Sequence, residues 1–329
     1  MSEKKHVTVI IPNYNGVNFL KTCMDALEAQ TCDDFETLVI DNASTDNSVE
    51  LLKKDYPWAG VAVMDKNLGF AGGVNVGIRM SHTKYVLLLN NDTEVDPHFV
   101  EEMLKAIEKS PRIFSASSRM VNFNDRSLMD DAGDLYTLMG WAAQRGVAQE
   151  VTRYAGPARI FSACAGAAIY RRKVFDKIGY FDEMHFAYLE DIDIGFRARL
   201  YGYTNVYAPK AIVYHVGSGT SGSKYNSFKV RLAARNSVYL NYKNMANWQI
   251  VLNSPALVSG YLIKIGFFKK KGFGQDYLDG LKEGFETCKN CKRSAYKANL
   301  ITQVAIEGQL LEFMLVYAYE FFRRKFVLR

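Results

Sequence analysis

The sequence predicts an α/β fold in which a mostly parallel sheet is covered by helices. From Val7 onward, short β-branched runs alternate with stretches of helical spacing, the pattern of repeated βα units. The 329 residues are 48% hydrophobic and 23% charged with 7 prolines, which supplies a large core and excludes a disordered chain. Polar clusters follow three of the apolar runs, and open sheets of this kind bind ligands beyond the carboxyl ends of their strands.

Val7 to Ile11 is the first strand, and it ends on Pro12-Asn13-Tyr14-Asn15. Leu20, Met24 and Leu27 recur at three- and four-residue spacing and predict a helix over Phe19 to Gln30. Phe35 to Ile40 is a second strand closed by Asp41-Asn42-Ala43-Ser44, and a helix follows over Asp46 to Tyr56. A third strand, Val61 to Met64, leads through Asn67 into the glycine-rich stretch Gly69 to Gly77 and a helix over Gly73 to Met80. Tyr85 to Leu89 is a strongly apolar strand ending on Asn90-Asn91-Asp92, followed by a helix over His98 to Lys109 and a strand over Ser115 to Met120. Periodicity weakens from Asn122 to Arg159, as in loops or an insertion lining a site. Ile160 to Tyr170 then reads as a strand rich in small residues, Arg172 to Ile178 and Glu190 to Leu200 as helices, and Ala211 to Val216 as a strand.

Five scattered cysteines do not make a secreted disulfide framework, and they predict a reducing, cytoplasmic setting. The apolar run after the charged Met1 to Lys5 stops at Pro12, short of a signal-peptide core of roughly 7 to 15 residues. The net charge of +6 lies wholly beyond Asn247, where 13 Lys and Arg face 7 Asp and Glu, whereas 28 balance 28 before it. This divides the chain into a domain over 1–247 and a basic helical region over 248–329 whose partner is anionic. Trp248 to Phe268 is apolar but is interrupted by Gln249, Asn253, Pro255 and Lys264, and Lys269-Lys270-Lys271 follows it. Ile301 to Phe322 mixes Leu, Phe and Tyr with Glu307, Glu312 and Glu320 before Arg323-Arg324-Lys325. The pattern predicts amphipathic helices lying on the inner face of the cell membrane rather than crossing it. Packing on the domain or on a second subunit, giving an oligomer, is the alternative. Nucleic acid is not expected as a partner, because the tail carries no base-stacking module.

The polar clusters each admit two readings. A carboxylate at Asp41 can accept hydrogen bonds from a nucleobase or ribose beside the aromatic face of Tyr14, or it can cap the next helix. Gly69 and Gly72 can let backbone amides approach an anion, with Asn67 and Asn75 sorting sugar hydroxyls, or they can pack a helix on the sheet. Glu190, Asp191 and Asp193 can complement a helix dipole or supply a base, and Asp193 pairs with Arg197 at i+4.

Taken together, six motifs over Val7 to Met245 resemble the family-2 glycosyltransferases, particularly the bacterial branch containing rhamnosyltransferases of surface polysaccharides. They are Val9 to Asn15, Val39 to Ser44 with Asp46, Asn67 to Asn75, Asn90-Asn91-Asp92, Gly179 to Glu183 and Glu190 to Asp193. The resemblance implies a Rossmann-like GT-A fold and an inverting transfer from a nucleotide-diphosphate sugar. It assigns Pro12, Tyr14, Asn15, Asp41, Asn67, Gly69, Gly72, Asn75 and Asn91 to the donor and Asp191 to the general base, with Glu190 orienting the acceptor. Asp92, with Asn90 and His215, would hold Mg²⁺ or Mn²⁺. The expected donor is dTDP-rhamnose, with UDP-galactose, UDP-glucose or a UDP-N-acetylhexosamine as alternatives, and the expected acceptor is a surface polysaccharide or lipid-linked glycan. The rival reading is a silent protein whose basic tail contacts membrane or RNA. Gly217 to Gly222 matches a dinucleotide fingerprint without its acidic partner and is read as a loop closing over the diphosphate. Cys288 and Cys291 have no second ligand pair and are not read as a zinc site.

Overall fold

The computed structural model describes residues 5–217 and 225–326. The predicted loop Gly217 to Gly222 therefore lies, beyond its first residue, outside the described residues. The strands are β1 (Val7–Asn13), β2 (Phe35–Asp41), β3 (Gly60–Val63), β4 (Tyr85–Leu89), β5 (Thr93–Val95), β6 (Ile113–Asn122), β7 (Met129–Asp131), β8 (Asp134–Tyr136), β9 (Ala142–Gln144), β10 (Ala167–Arg171) and β11 (Thr204–His215). The α-helices are α1 (Val17–Glu28), α2 (Ser48–Asp55), α3 (Gly69–Met80), α4 (Phe99–Glu108), α5 (Arg172–Ile178), α6 (Glu190–Leu200), α7 (Ser227–Asn244), α8 (Asn247–Lys270), α9 (Gly274–Thr287) and α10 (Leu300–Phe326).

The main sheet runs β3-β2-β1-β4-β10-β6-β11-β5, with β7 on the side of β6 and β8-β9 as a separate hairpin. β1, β2, β3 and β4 pair in parallel, as do β6 and β11, while β10 enters antiparallel between β4 and β6. β4 is buried along its whole length, as its unbroken Tyr-Val-Leu-Leu-Leu run requires of a central strand covered on both faces. One core layer joins Leu20, Met24 and Met103 to the sheet face of β1 and β4, and the other joins Val74, Ile78, Phe114 and Phe175 to the opposite face. Gly77 explains how closely α3 approaches: a Cβ there would stand 2.5 Å from Ile10 Cγ2.

The strand expected over Ile160 to Tyr170 is corrected to Ala167–Arg171. Residues 160–166 instead pass beneath α6, where a Cβ on Gly195 would stand 2.1 Å from Ser162 Oγ, so the small side chains serve close approach rather than a ladder. The strand β5, the strands β7 to β9 of the insertion, and the helices α7 and α9, which pack along each other, went unread in the sequence. The last helix, α10, packs on α6 and β8, and Leu257, Ile306, Leu310 and Phe313 share a core with Tyr136, Phe161 and Phe196.

Candidate active site

The turn after β1 and the turn after β2 are built on each other. Asn13 Nδ2 donates to Asp41 Oδ1 at 2.9 Å, the Ser44 N–H donates to Asp41 Oδ2 at 2.9 Å, and Asn91 Nδ2 donates to Asn13 Oδ1 at 2.7 Å. Asp41 is fully buried, so it anchors this turn from below, while Tyr14 stands 38% exposed with its ring free for stacking. Asn15 sits at φ 51° and accepts the Thr45 N–H at 2.8 Å; Pro12 leads into the turn from β1.

The Asn91 link leads to Asp92. The antiparallel pairing of β11 with β5 sets His215 opposite Thr93, and His215 Nε2 lies 3.3 Å from Asp92 Oδ1. Its other nitrogen, Nδ1, lies 2.7 Å from Asp130 Oδ2, on the strand that β6 pairs with. Burial opposes a charge on this ring, but the hydrogen bonds and charges of Asp130 and Asp92 prevail and push it up to about 10. Asn90 lies alongside, its Nδ2 3.1 Å from where a Cβ of Gly166 would stand.

From Asp130 the seam continues to the acids. Asp131, Asp134 and Cys164 bring one ligand atom each within 4.8 Å of one another, and burial raises the pKa of all three. Beside them Asp191 opens α6. Burial pushes its carboxyl up to about 6, against the pull of N–H groups from Ile192, at 2.7 Å, and Ala165. Glu190 is pushed up to about 8 by burial and then by the charge of Asp191, and among the described residues its Oε2 has no hydrogen-bond partner. Ala165 adjoins Gly166, whose carbonyl accepts the Asn90 N–H at 2.8 Å. One seam of hydrogen bonds and adjacent residues therefore links Asp41, Asp92 and Asp191.

Asp193, two residues on, is a different kind of group. Its Oδ2 accepts from Arg197 Nη2 at 2.8 Å and from Lys243 Nζ at 2.9 Å, and its Oδ1 accepts from Asn244 at 2.7 Å. Although burial works the other way, these cations hold its carboxyl far below the usual range. Arg197 also donates to the carbonyls of Ile178, Gly179 and Tyr180, so the Gly179 to Glu183 motif is held from α6.

One of the expected sugar contacts is corrected. Asn75 is buried with both ends of its amide engaged, donating to the Phe181 carbonyl at 2.9 Å and accepting the Phe181 N–H at 3.0 Å; it clips α3 to that segment. Asn67 Oδ1 accepts the Gly69 N–H at 2.8 Å and caps the start of α3. Gly69 takes φ 72° under Phe186, whose carbonyl accepts the Ala71 N–H at 3.1 Å, and a Cβ on Gly72 would stand 2.6 Å from Leu68 Cβ. The glycines here serve backbone geometry and packing.

The segment between Asp182 and α6 carries Phe186, Tyr188 and Leu189 at φ 61°, 70° and 69°, and such left-handed non-glycine residues cluster at functional sites. Asn236, fully buried on α7, holds it by donating to the carbonyls of His185, Ala187 and Tyr188 at 3.0, 2.9 and 2.8 Å. Asp130 and Asn236 escaped sequence reading. Their signals are an Asp-Asp pair in the irregular stretch after Asn122, and an amide in the apolar stripe of Leu232 and Leu240.

The glycosyl transferase family 2 model matches residues 8–179, just over half of the chain. The chain belongs to this family. Among curated relatives, the Escherichia coli uncharacterized glycosyltransferase YibD is 36% identical over 107 residues, covering 32% of this chain and 31% of its own length. The N-acetylglucosaminyl-diphospho-decaprenol L-rhamnosyltransferase of Mycobacterium tuberculosis is 25% identical over 237 residues, covering 65% of this chain and 77% of its own. Among solved structures, GalNAc-T7 with UDP, GalNAc and Mn²⁺ superposes with a TM-score of 0.60 at 16% identity, over 90% of this chain and 56% of that one. The fold is the GT-A glycosyltransferase fold, and as a family member the protein is a glycosyltransferase.

Proposed function

We propose that this enzyme transfers a sugar from a nucleotide-diphosphate donor to a glycan in one inverting displacement, with Asp191 as the base. The observation that carries the reading is the Asp191 carboxyl, raised to about 6 and set on the same polar seam as the Tyr14 turn and the Asp92–His215 pair. Tyr14 offers its face to the nucleobase, Pro12, Asn15, Asp41 and Asn91 shape the turn around it, and Glu190 orients the acceptor. As the acceptor oxygen attacks the anomeric carbon, its proton passes to Asp191, the bond to the diphosphate oxygen breaks, and the electron pair leaves with the nucleoside diphosphate.

The donor set fits a divalent cation. Asp92 Oδ1 and His215 Nε2 stand 3.3 Å apart with Asp130 orienting the imidazole from behind, and a bound cation would take the place of the proton that His215 shares with Asp92. An imidazole among the ligands suits Mn²⁺ better than Mg²⁺. When bound, the ion offsets charge on the departing diphosphate.

dTDP-rhamnose is the first donor to test and a lipid-linked glycan the first acceptor, a choice supported by the relative acting on a diphospho-decaprenol sugar. The reading sets catalysis in residues 1–247, with 248–329 as a helical extension, in a cytoplasmic enzyme working at the inner membrane face. The test is Asp191→Asn with a panel of nucleotide sugars and Mn²⁺. Transfer falls by about 10² to 10⁴ while nucleotide binding persists; near wild-type transfer by the folded variant overturns the assignment.

A further inference from the structure

The last helices carry an arrangement that the sequence does not reveal. α8 and α10 start together, where Trp248 Nε1 donates to Gln303 Oε1 at 2.7 Å and Gln249 Nε2 to Glu307 Oε2 at 2.9 Å. Further along, Trp141 meets both, donating to the Gly260 carbonyl at 3.2 Å and setting its ring 5.8 Å from that of Tyr317. The two helices therefore run in the same direction, bonded at their starts and bridged by Trp141 further along. Their last turns, with Lys269, Lys270 and Lys271 on one and Arg323 on the other, fall at a common end.

Their two faces differ. Inward, Leu257, Ile306, Leu310 and Phe313 pack on the domain. Outward, Val251, Val258 and Leu262 on α8 and Val304, Leu311, Leu315, Tyr319 and Phe322 on α10 are each at least 50% exposed. On α10 the spacing is seven, four, four and three residues, a single stripe along one side. The stretches Asn247–Lys270 and Leu300–Arg323 are each 24 residues long and contain an 18-residue window of membrane-like composition that is 17% and 22% buried.

Charge identifies the occupant. α8 contains no acidic residue. The three glutamates of α10 are all engaged by neighbours: Glu307 by Gln249, Glu312 by Arg159 at 3.4 Å and Glu320 by Tyr154 at 3.3 Å. At the basic end, Arg323 joins Arg145, Arg153 and Arg159 around a cleft of about 470 Å³. Glu312 and Glu320 line the same cleft, but α8 and the lysine turn that follows it carry no acid, and an anionic leaflet supplies apolar chains for the stripe and phosphates for that turn.

We propose that α8 and α10 form one surface that lies flat on an anionic bilayer, apolar stripe inward and basic end among the headgroup phosphates. The inner faces stay bonded to the domain, so neither helix is surrounded by lipid. The insertion that furnishes Arg145, Arg153 and Arg159 also carries Asp131 and Asp134, which feel the charge of Asp191, so a docked surface would hold a lipid-linked acceptor near the site. That last purpose rests on the transferase reading; the docking surface does not.

The experiment is sedimentation of the full chain with vesicles of phosphatidylcholine alone or mixed with phosphatidylglycerol, alongside donor turnover without vesicles and light scattering for mass. Binding requires phosphatidylglycerol. Replacing Lys269, Lys270 and Lys271 by Ala weakens it on the order of 100-fold. Leu262→Glu with Leu315→Glu abolishes it, and both variants keep donor turnover. Wild-type protein that turns over donor but stays off mixed vesicles overturns the docking surface alone, as does a dimer that Leu262→Glu and Leu315→Glu dissociate. Vesicle binding without transfer from any donor keeps the surface and overturns the transferase reading.

Discussion

Asn236→Ala tests whether the strained segment ahead of α6 matters to the chemistry. The Asn236 amide is the buried donor to three carbonyls between His185 and Tyr188, and its two hydrogens amount to about two full bonds. Leaving buried carbonyls unpaired costs about 1–3 kcal/mol each. Three left-handed non-glycine residues in this stretch add a cost of about 1–3 kcal/mol apiece, which persists only while neighbours hold them. Without the amide the segment relaxes, and the start of α6, with Asp191 at its second position, loses its setting. About 2–4 kcal/mol of lost positioning corresponds to a kcat lower on the order of 100-fold. The Tyr14 turn makes no contact with Asn236, so KM for the donor stays near its wild-type value. The assay is steady-state donor turnover read as kcat and KM separately, at a temperature well below the unfolding midpoint of the variant. A purely structural role would lower the midpoint and leave kcat per folded molecule unchanged. A kcat within about twofold of wild type in folded protein refutes the argument.

Two other outcomes follow from the same geometry. Because Asp191 must be ionised to accept a proton and burial raises it to about 6, kcat/KM falls as pH drops through that value, toward tenfold per unit; a rate flat between pH 7 and pH 5 contradicts the assignment. Asp130→Asn removes the carboxylate behind His215, so the Mn²⁺ concentration for half-maximal rate after chelation rises about 10- to 100-fold, read by metal titration.

The fold was legible where the signal was local. The βα units out to Met120 show in the periodicity, and Tyr85–Leu89, Arg172–Ile178 and Glu190–Leu200 are read to the residue. Illegible parts depend on distant partners. Residues 160–166 carry the composition of a strand, but their small side chains answer to α6 passing overhead. β5 is three residues long and exists because β11 pairs with it. At the candidate site, Asp92, His215 and Asp191 stand out in the sequence by their positions at strand and helix ends. Asp130 and Asn236 did not, since each acts on a residue 85 or 48–51 positions away. Asn75 misled for the converse reason: an amide beside glycines looks like a ligand contact until the Phe181 backbone is seen to take both its ends.

The same logic separates the two aspartates of α6. Residues two apart on a helix point about 200° away from each other, so Asp191 and Asp193 cannot share surroundings. Asp193 turns to the interior, where Arg197 and Lys243 fix it as a carboxylate. As a proton acceptor it is useless, and its burial among those cations makes it a fastener for α6 and α7. Asp191 forms no ion pair among the described residues, and Asp131 and Asp134, which feel its charge, are themselves driven toward the neutral form by burial. Withholding a cation there, rather than supplying one, keeps the Asp191 carboxylate basic, and neutral acids beside it can donate hydrogen bonds without adding a negative charge. A lysine or arginine placed within reach of Asp191 would lower its pKa and weaken it as a base even though every distance in the site stayed the same.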